Sequence, residues 1–180
     1  LSLLEKALGP SHPRLYPTLA SLAMVAAAQS RNLEGIRLLE RALHIGEAAL
    51  GADHPDVLTM RANLAIGLRA EQRGEEAERV MQDVYERRRA VLGEAHPETV
   101  RTLSFLAVMA RDRNDLARAE VLLRRAIGRK PDYVPALFNL ATLVEERGRV
   151  AAALDDLDVD HWPSGANFIL LRARHRPGQE

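Results

Sequence analysis

The sequence predicts an all-α fold, a right-handed α-α superhelix built from stacked antiparallel pairs of helices. Three observations support this prediction: a Leu-Gly-x-x-His-Pro motif occurs three times, small residues recur at fixed positions between the motifs, and aromatic residues make up only 4% of the chain. A core of Leu and Ala favours closely packed helices over strands. A motif that recurs at a fixed period of about 20–50 residues indicates a solenoid of repeated units, here helix pairs.

The repeated motif sets the period of the array. Its copies begin at Leu8, Leu50 and Leu92, a constant period of about 42 residues. The period then shortens to about 34 residues, because Ala107 is followed by Ala141. The difference is close to two helical turns, so long and short units keep their buried faces in phase. We expect a single array over residues 1–180, with repeats at about 13–54, 55–96, 97–132 and 133–162 and a partial capping repeat at 163–180.

Each predicted helix has local signals at its ends. The first helix of each pair begins near a His-Pro dipeptide, since Pro suits the first helical turn and the residue before it avoids helical angles. The glycine ahead of the dipeptide marks the end of the previous helix, and polar breaks at 31–32, 72–74, 113–115 and 147–148 divide the pairs. The predicted helices are, in order, 1–8, 13–29, 32–50, 55–71, 75–92, 97–112, 115–129, 133–147, 149–158 and 165–175.

The composition argues against several classes of partner. Acidic and basic residues number 25 each, giving a formal net charge of zero, whereas a protein that grips a phosphate backbone carries a positive excess. The longest apolar run, residues 22–28, is far too short to span a bilayer, and no signal peptide is visible. We therefore expect a cytoplasmic protein that binds neither nucleic acid nor membrane. Because the chain starts at Leu1, without Met and within a predicted helix, we expect it to be part of a longer protein.

The histidines of the repeated motif raise the question of a metal site. His12, His54 and His96 occur once per repeat, so stacking would separate neighbours by about 20 Å, or two interhelical spacings. Zinc ligands instead lie within ~2 Å of one ion. The chain also has no cysteine, which removes thiolate sites. We expect these histidines to mark helix starts.

Two other charged patterns have simple structural interpretations. Asp156, Asp158 and Asp160 alternate as in a calcium loop, but His161 stands where the turn glycine belongs, which favours an acidic helix end and loop. The basic run 87–89 points in different directions on a helix, which predicts a solvated outer face. No two glycines lie closer than five residues apart, so the sequence contains no glycine-rich phosphate-binding motif. We expect neither a cofactor nor catalytic activity.

The repeated unit resembles a known family. Leu-Gly-x-x-His-Pro, followed by Asn63-Leu64-Ala65 and then by residues 75–78 (Glu-Glu-Ala-Glu), is similar to the 42-residue tetratricopeptide repeats of kinesin light chains and their bacterial relatives. Residues 136–148 look like a standard 34-residue unit. The resemblance covers about residues 1–160 and implies a non-catalytic scaffold whose concave groove binds a partner protein or peptide.

Projection of the repeat onto this chain gives the residues expected to face the groove. The first unit supplies an apolar end with Ala20, Met24 and Ala27, and arginines of the later units make the middle basic. Such a groove suits an acidic peptide with a hydrophobic anchor, with asparagines bonding its backbone and arginines its carboxylates. The candidate peptide-binding residues are Asn63, Arg69, Arg101, Arg111, Phe138 and Asn139.

Alternatives stay open at this point. The arginines also fit a solvated helix face beside neighbouring glutamates. The array also fits the regulatory or sensor arm of a multidomain effector, with a nucleotide-switch ATPase or a protease as its companion, and self-association is a third possibility.

Overall fold

The computed structural model describes the backbone of residues 1–156, 159–162 and 170–173 and the side chains of residues 1–149. Within these ranges the chain forms eight α-helices followed by two short strands. The elements are α1 Ser2–Leu8, α2 Leu15–Ala28, α3 Asn32–Leu50, α4 Pro55–Ala70, α5 Gly74–Leu92, α6 Pro97–Asp112, α7 Leu116–Arg129, α8 Val134–Asp156, β1 Val159–Trp162 and β2 Leu170–Ala173. The first seven predicted helices are confirmed to within two residues at each end.

The repeated glycine ends the helix that precedes each His-Pro dipeptide. Gly9, Gly51 and Gly93 have φ of 89°, 86° and 87°, a region that residues with a Cβ rarely enter. The backbone N–H of each donates to a carbonyl four residues earlier, as from Gly51 to Glu47 at 3.0 Å. The glycine therefore closes the last turn and redirects the chain toward the next repeat.

The turn inside each of the first three pairs is also repeated. Ser30, Gln72 and Asn114 all have positive φ, at 60°, 63° and 61°. The N–H of the next residue then bonds back into the first helix, as from Arg31 to the Ala26 carbonyl at 2.8 Å. A single left-handed residue thus ends each first helix and lets the second helix fold back on it.

The described contacts divide the chain into two units, residues 1–102 and 103–180. In the first unit α2 packs on α3, α3 on α4, and α4 on α5. The core between the first three of these helices is aliphatic, and its buried members include Leu15, Leu19, Ala23, Leu39, Ala42, Val57 and Met60. Alternation of small and large side chains lets the helices approach closely.

The second unit contains the rest of α6 with α7, α8 and the strands. Helix α7 begins at Asp115, whose carboxylate accepts the Arg118 N–H at 2.9 Å, and it packs on α8. Ala119, Leu123 and Ala126 on α7 are buried, as are Ala136 and Leu143 on α8. Strands β1 and β2 pair antiparallel with Trp162 opposite Leu170, and β1 contacts α8.

Two sequence predictions in the second unit are wrong. The expected break at 147–148 is absent, since α8 continues to Asp156; a glycine inside a helix costs only about 1 kcal/mol relative to alanine, and Ala151 to Ala153 support continuation. The predicted helix at 165–175 contains strand β2 at Leu170–Ala173, and its other residues lie outside the described part. A short apolar run does not distinguish a strand from a helix by periodicity alone.

Candidate functional site

The first unit contains a concave cavity between α2, α3 and α4. Its volume is about 340 Å³. The lining is largely apolar, with asparagine amides as its polar side chains. The lining residues are Ala23, Met24, Ala27, Asn32, Gly35, Ile36, Leu39, Asn63, Ile66, Gly67 and Ala70. Three residues projected onto the groove from the sequence, Met24, Ala27 and Asn63, therefore share one cavity.

Small residues make this cavity possible. A Cβ added to Gly35 would lie 3.2 Å from the Ala23 carbonyl oxygen, and one added to Gly67 would lie 3.2 Å from Ile36 Cγ1. Helix α3 therefore lies close to both neighbouring helices and forms the floor of the cavity. Ala27 and Ala70 leave the space above that floor open. The result is a depression that fits an apolar side chain.

The polar residues at this site have different surroundings. Asn63 is half-buried in the cavity lining, whereas Arg69, three residues after Ile66 on α4, is exposed. Arg101, on α6, forms an ion pair with Glu98, so part of its donor capacity is already used. The cavity thus includes Asn63, and neither Arg69 nor Arg101 is among the residues that line it.

The other three candidate residues belong to the second unit. Arg111 is half-buried on α6, and Asn139 is half-buried on α8. Phe138 is 70% exposed, which is unusual for a large aromatic side chain. The described contacts do not place these residues in a common cavity with one another.

A buried arginine, which the sequence analysis missed, lies between three helices of the first unit. Arg88 is 1% exposed and donates to Thr102 Oγ1 at 2.9 Å and to Thr59 Oγ1 at 3.2 Å. Its guanidinium also lies 2.9 Å from a Glu98 carboxylate oxygen. Burial lowers the pKa of Arg88, opposed by the charge of Glu98. The prediction that residues 87–89 form a solvated face is therefore wrong for Arg88.

The repeat itself holds the signal that could have revealed Arg88. Gly46 is its counterpart in the preceding repeat, and Met60 is the counterpart of Thr102. A Cβ on Gly46 would lie 2.8 Å from Met60 Cε, so a small residue faces a large one there. At the equivalent contact one repeat later, a large residue, Arg88, faces the smaller Thr102. The exchange of sizes keeps the volume of the two contacts similar.

Arg87 belongs to a chain of ion pairs on the surface of the first unit. Its guanidinium contacts Asp53 at 2.7 Å and Asp83 at 2.9 Å. Asp83 also pairs with Arg61 at 2.8 Å, and Arg61 with Glu47 at 2.9 Å. Hydrogen bonds to Asp53 and then to Asp83 raise the pKa of Arg87. This chain links α3, α4 and α5, so a structural role accounts for Arg87.

A second ion-pair cluster joins α7 to α8. Glu120 accepts from Arg124 at 2.8 Å, and it also pairs with Arg147. The hydrogen bond from Arg124 contributes most to lowering the pKa of the Glu120 carboxyl, and the positive charge of Arg147 adds to it. The carboxylate is therefore favoured in its charged form in the folded chain.

The three histidines of the repeated motif occupy equivalent positions. The Nδ1 atoms of His12, His54 and His96 each accept the backbone N–H two residues later, at 3.2 Å. At His54 and His96 this satisfies a free N–H group in the first helical turn, and at His12 it satisfies the N–H of Arg14, the residue before α2. The histidines therefore mark helix starts, as predicted. Among the residues that the structure describes, no group of three or more His, Cys, Asp or Glu could hold a metal ion. The predicted loop at Asp158 lies outside the described residues.

No described helix is long and apolar enough to cross a membrane. Tetratricopeptide-repeat family models match residues 18–56 and residues 56–132. The two matches together extend over more than half of the chain. This chain is a tetratricopeptide-repeat protein.

Several solved structures have a similar fold. A Podosopora anserina protein assigned as a kinesin light chain with nearly identical TPR-like repeats has a TM-score of 0.68 at 21% identity, over 80% of this chain and 72% of that one. BtubC (BKLC) of P. vanneervenii has a TM-score of 0.69 at 20% identity, over 84% of this chain and 69% of that one. The Sgt2 TPR domain of Aspergillus fumigatus has a TM-score of 0.56 at 18% identity, over 76% of this chain and 82% of that one. The TM-scores show a shared fold, and at identities this low they show the fold alone.

One curated protein has a short matching segment. Histidinol-phosphate aminotransferase 2 of Caulobacter vibrioides is 46% identical over 46 residues, which is 26% of this chain and 12% of that protein. The chain therefore spans only a small part of that relative, and the match carries no inference about aminotransferase chemistry. The tetratricopeptide architecture and its structural neighbours instead support a protein–protein interaction scaffold.

Proposed function

We propose that this tetratricopeptide-repeat chain is a non-catalytic scaffold that binds a partner peptide or domain through the cavity between α2, α3 and α4. An apolar side chain of the partner enters the cavity, and the Asn63 amide bonds the partner's backbone. The observation that carries the proposal is the cavity itself, since it is open, largely apolar and formed by residues from two successive repeats.

The size of the cavity indicates how much of the partner it holds. Ligand pockets for small molecules have volumes of about 300–1,000 Å³, and this cavity, at about 340 Å³, lies at the low end. It therefore suits one large apolar side chain of a longer peptide. Met24 is 62% exposed at its edge, and its flexible thioether adapts to anchors of different shapes.

We further propose that the bound peptide is acidic. Arg69 is exposed three residues after Ile66 on α4, where its guanidinium is within reach of a carboxylate on a peptide anchored in the cavity. In this proposal Arg101 and Arg111 continue the basic surface, and Phe138 and Asn139 contact a distal part of the partner. Affinity for such a peptide falls as ionic strength rises, because exposed charge pairs are screened by salt.

Selection from a random peptide library displayed on phage tests the proposal without requiring an identified partner. We expect enrichment of acidic peptides with one large apolar residue. Filling the cavity by Ala27→Phe should then abolish binding of the selected peptides. Ala28→Phe is the matched control, because Ala28 is also exposed on α2 but does not line the cavity. Equal binding by both variants would contradict the proposal.

The role as regulatory or sensor arm of a multidomain effector stays a prediction, as does the cytoplasmic location. A nucleotide-binding or protease motif in the flanking coding sequence would favour that role.

A further inference from the structure

Two asparagine amides line the cavity between α2, α3 and α4. Asn63 was predicted from the sequence, and the other is Asn32, the first residue of α3. Both side chains are half-buried. Within the part of the chain that the structure describes, neither amide is hydrogen-bonded to another group. Each carboxamide therefore keeps its donors and its acceptor for a bound molecule.

The repeat does not require an amide where Asn32 stands. Its counterparts are Gly74 and Leu116, which begin α5 and α7 at the same place in the repeat. Neither residue has a side chain that can form a hydrogen bond, so the second helix of a pair begins without one. The start of α3 thus does not account for the Asn32 amide.

Helices α3 and α4 run in opposite directions beside the cavity. A Cβ added to Gly46 of α3 would lie 2.8 Å from Met60 Cε, and one added to Gly67 of α4 would lie 3.2 Å from Ile36 Cγ1. The later residue of α3 thus contacts the earlier residue of α4, as antiparallel packing requires. The contact between Ile36 and Gly67 belongs to the cavity itself, since both residues line it.

The two amides lie on opposite sides of that contact. Asn32 precedes Ile36 by four residues on α3, and Asn63 precedes Gly67 by four residues on α4. Each interval is about 6 Å of helix, and the two intervals add because the helices are antiparallel. The amides are therefore about 12 Å apart along the cavity, with its apolar lining between them.

A second depression opens at the Asn32 end of the cavity. It has a volume of about 420 Å³, and Asn32 lines it as well as the cavity. Most of its other lining residues are polar, including Arg37 on α3 and Glu71 directly after α4. A molecule that extends past Asn32 therefore meets open space, which suits a longer chain better than a small ligand.

On the basis of the proposed function, we propose that Asn32 is a second peptide-positioning residue. The partner segment lies in the cavity in an extended conformation, and its backbone is held by Asn63 at one end and by Asn32 at the other. An extended chain rises about 3.3 Å per residue, so about four residues span the two amides. The apolar anchor lies between the two backbone contacts, above the contact of Ile36 with Gly67.

A helical segment would use each amide only in part. Backbone groups inside a helix bond one another, and free groups remain only as N–H in the first turn and C=O in the last. A helix that spans the two amides would therefore offer donors to one and acceptors to the other. An extended segment leaves both backbone groups of a residue available, so one carboxamide can donate to and accept from the same residue.

Substitution of Asn32 tests this mode of binding with a synthetic copy of the most enriched phage peptide. Asn32→Leu should weaken binding at least about tenfold in isothermal titration calorimetry, the effect of one lost hydrogen bond in a partly buried site. Leucine fits the helix start, because Leu116 begins α7 at the equivalent position. Gln82→Leu is the matched control, since Gln82 is a half-buried amide on α5 outside the cavity; it should leave the dissociation constant unchanged.

Backbone methylation of the peptide separates a direct contact from a structural role. Each backbone N–H of the peptide is replaced in turn by N-methyl. We expect one position beside the anchor where methylation weakens binding to the wild type but costs nothing further in Asn32→Leu. Carbon chemical shifts of the isotope-labelled peptide in the complex then measure its conformation, and we expect extended values beside the anchor. Circular dichroism of each protein variant checks that the helices are retained.

The outcomes distinguish this mode of binding from the proposed function as a whole. If Ala27→Phe binds the peptide as the wild type does, the cavity is not the site and both proposals fail. If Ala27→Phe abolishes binding but Asn32→Leu binds as the wild type does, the role of Asn32 is overturned while the proposed function stands. The same holds if every methylation loss adds to the loss from Asn32→Leu, or if the bound peptide has helical chemical shifts.

Discussion

Replacement of Arg88 tests the packing between successive repeats. The Arg88 guanidinium bonds Thr59, Thr102 and the Glu98 carbonyl, and its charge is paired with the Glu98 carboxylate. Arg88→Ala removes this charge and empties a fully buried volume. Loss of one partner of a buried pair costs about 3–5 kcal/mol, but Glu98 is 33% exposed and keeps Arg101 as a partner. We therefore expect a loss near the low end, about 3 kcal/mol, in the free energy of unfolding.

The variant Arg88→Met separates charge from volume. Methionine fills much of the same space and so avoids the cavity that alanine leaves, whereas Glu98, Thr59 and Thr102 lose the same donor in both variants. We expect a loss of about 1–2 kcal/mol, which comes from the acceptors left without a donor. Arg89→Ala is the surface control, because Arg89 has a side chain that is 46% exposed and pairs with Glu86 at 3.3 Å; its loss should cost under about 0.5 kcal/mol.

Urea unfolding followed by far-UV circular dichroism measures all three variants on the same transition. The expected order of stability is Arg89→Ala, then Arg88→Met, then Arg88→Ala as the least stable. If Arg88→Ala lost less than about 1 kcal/mol, the buried cluster would not hold the repeats together. If Arg88→Met were as damaging as Arg88→Ala, the guanidinium rather than the filled volume would be the stabilising feature.

Three further predictions follow from the repeat contacts. His54→Ala should lower the free energy of unfolding by about 1 kcal/mol, because a free N–H loses its acceptor; His54→Asn, which keeps an acceptor, should lose less in the same urea assay. The pKa of Glu120 is lowered in the folded chain, so its charge stabilises the fold above the unfolded value near ~4.3, and this contribution is lost as pH falls through the folded pKa. The stability difference between wild type and Glu120→Gln should therefore be present at neutral pH and vanish in acid; a difference that grows in acid would contradict this sign. Gly46→Arg should destabilise the chain by overpacking against Met60, and adding Met60→Thr should recover at least about 1 kcal/mol in a double-mutant cycle, since the pair then repeats the arrangement at Arg88.

The sequence was most informative where a physical constraint recurs at a fixed spacing. The Leu-Gly-x-x-His-Pro motif located the ends of α3 and α5 and the starts of α4 and α6, because the glycine must adopt positive φ and the histidine must accept a free N–H. Both constraints involve residues within four positions of one another. A local pattern is sufficient to reveal such constraints, and the first seven helices were predicted closely for that reason.

The features that were missed depend on residues distant in sequence. Arg88 is buried because Thr59 and Thr102, from two other helices, surround it, whereas its neighbours Arg87 and Arg89 form ion pairs at the surface. Gly148 allows either a turn or a continuous helix, so the local pattern did not decide between them. In the candidate site, the sequence placed Met24 and Asn63 on one surface, but only packing against α3 shows that they share a cavity.

Photo-crosslinking of a selected peptide most directly tests the central claim, that the cavity between α2, α3 and α4 receives the apolar anchor of a partner. A peptide from the phage selection is synthesised with a photoreactive group at its large apolar residue, and the crosslinked site is mapped by mass spectrometry. We expect attachment at Met24, Ile66 or another lining residue, and its loss in Ala27→Phe but not in Ala28→Phe. Crosslinks that fall elsewhere on the chain, or that persist unchanged in Ala27→Phe, would contradict the account.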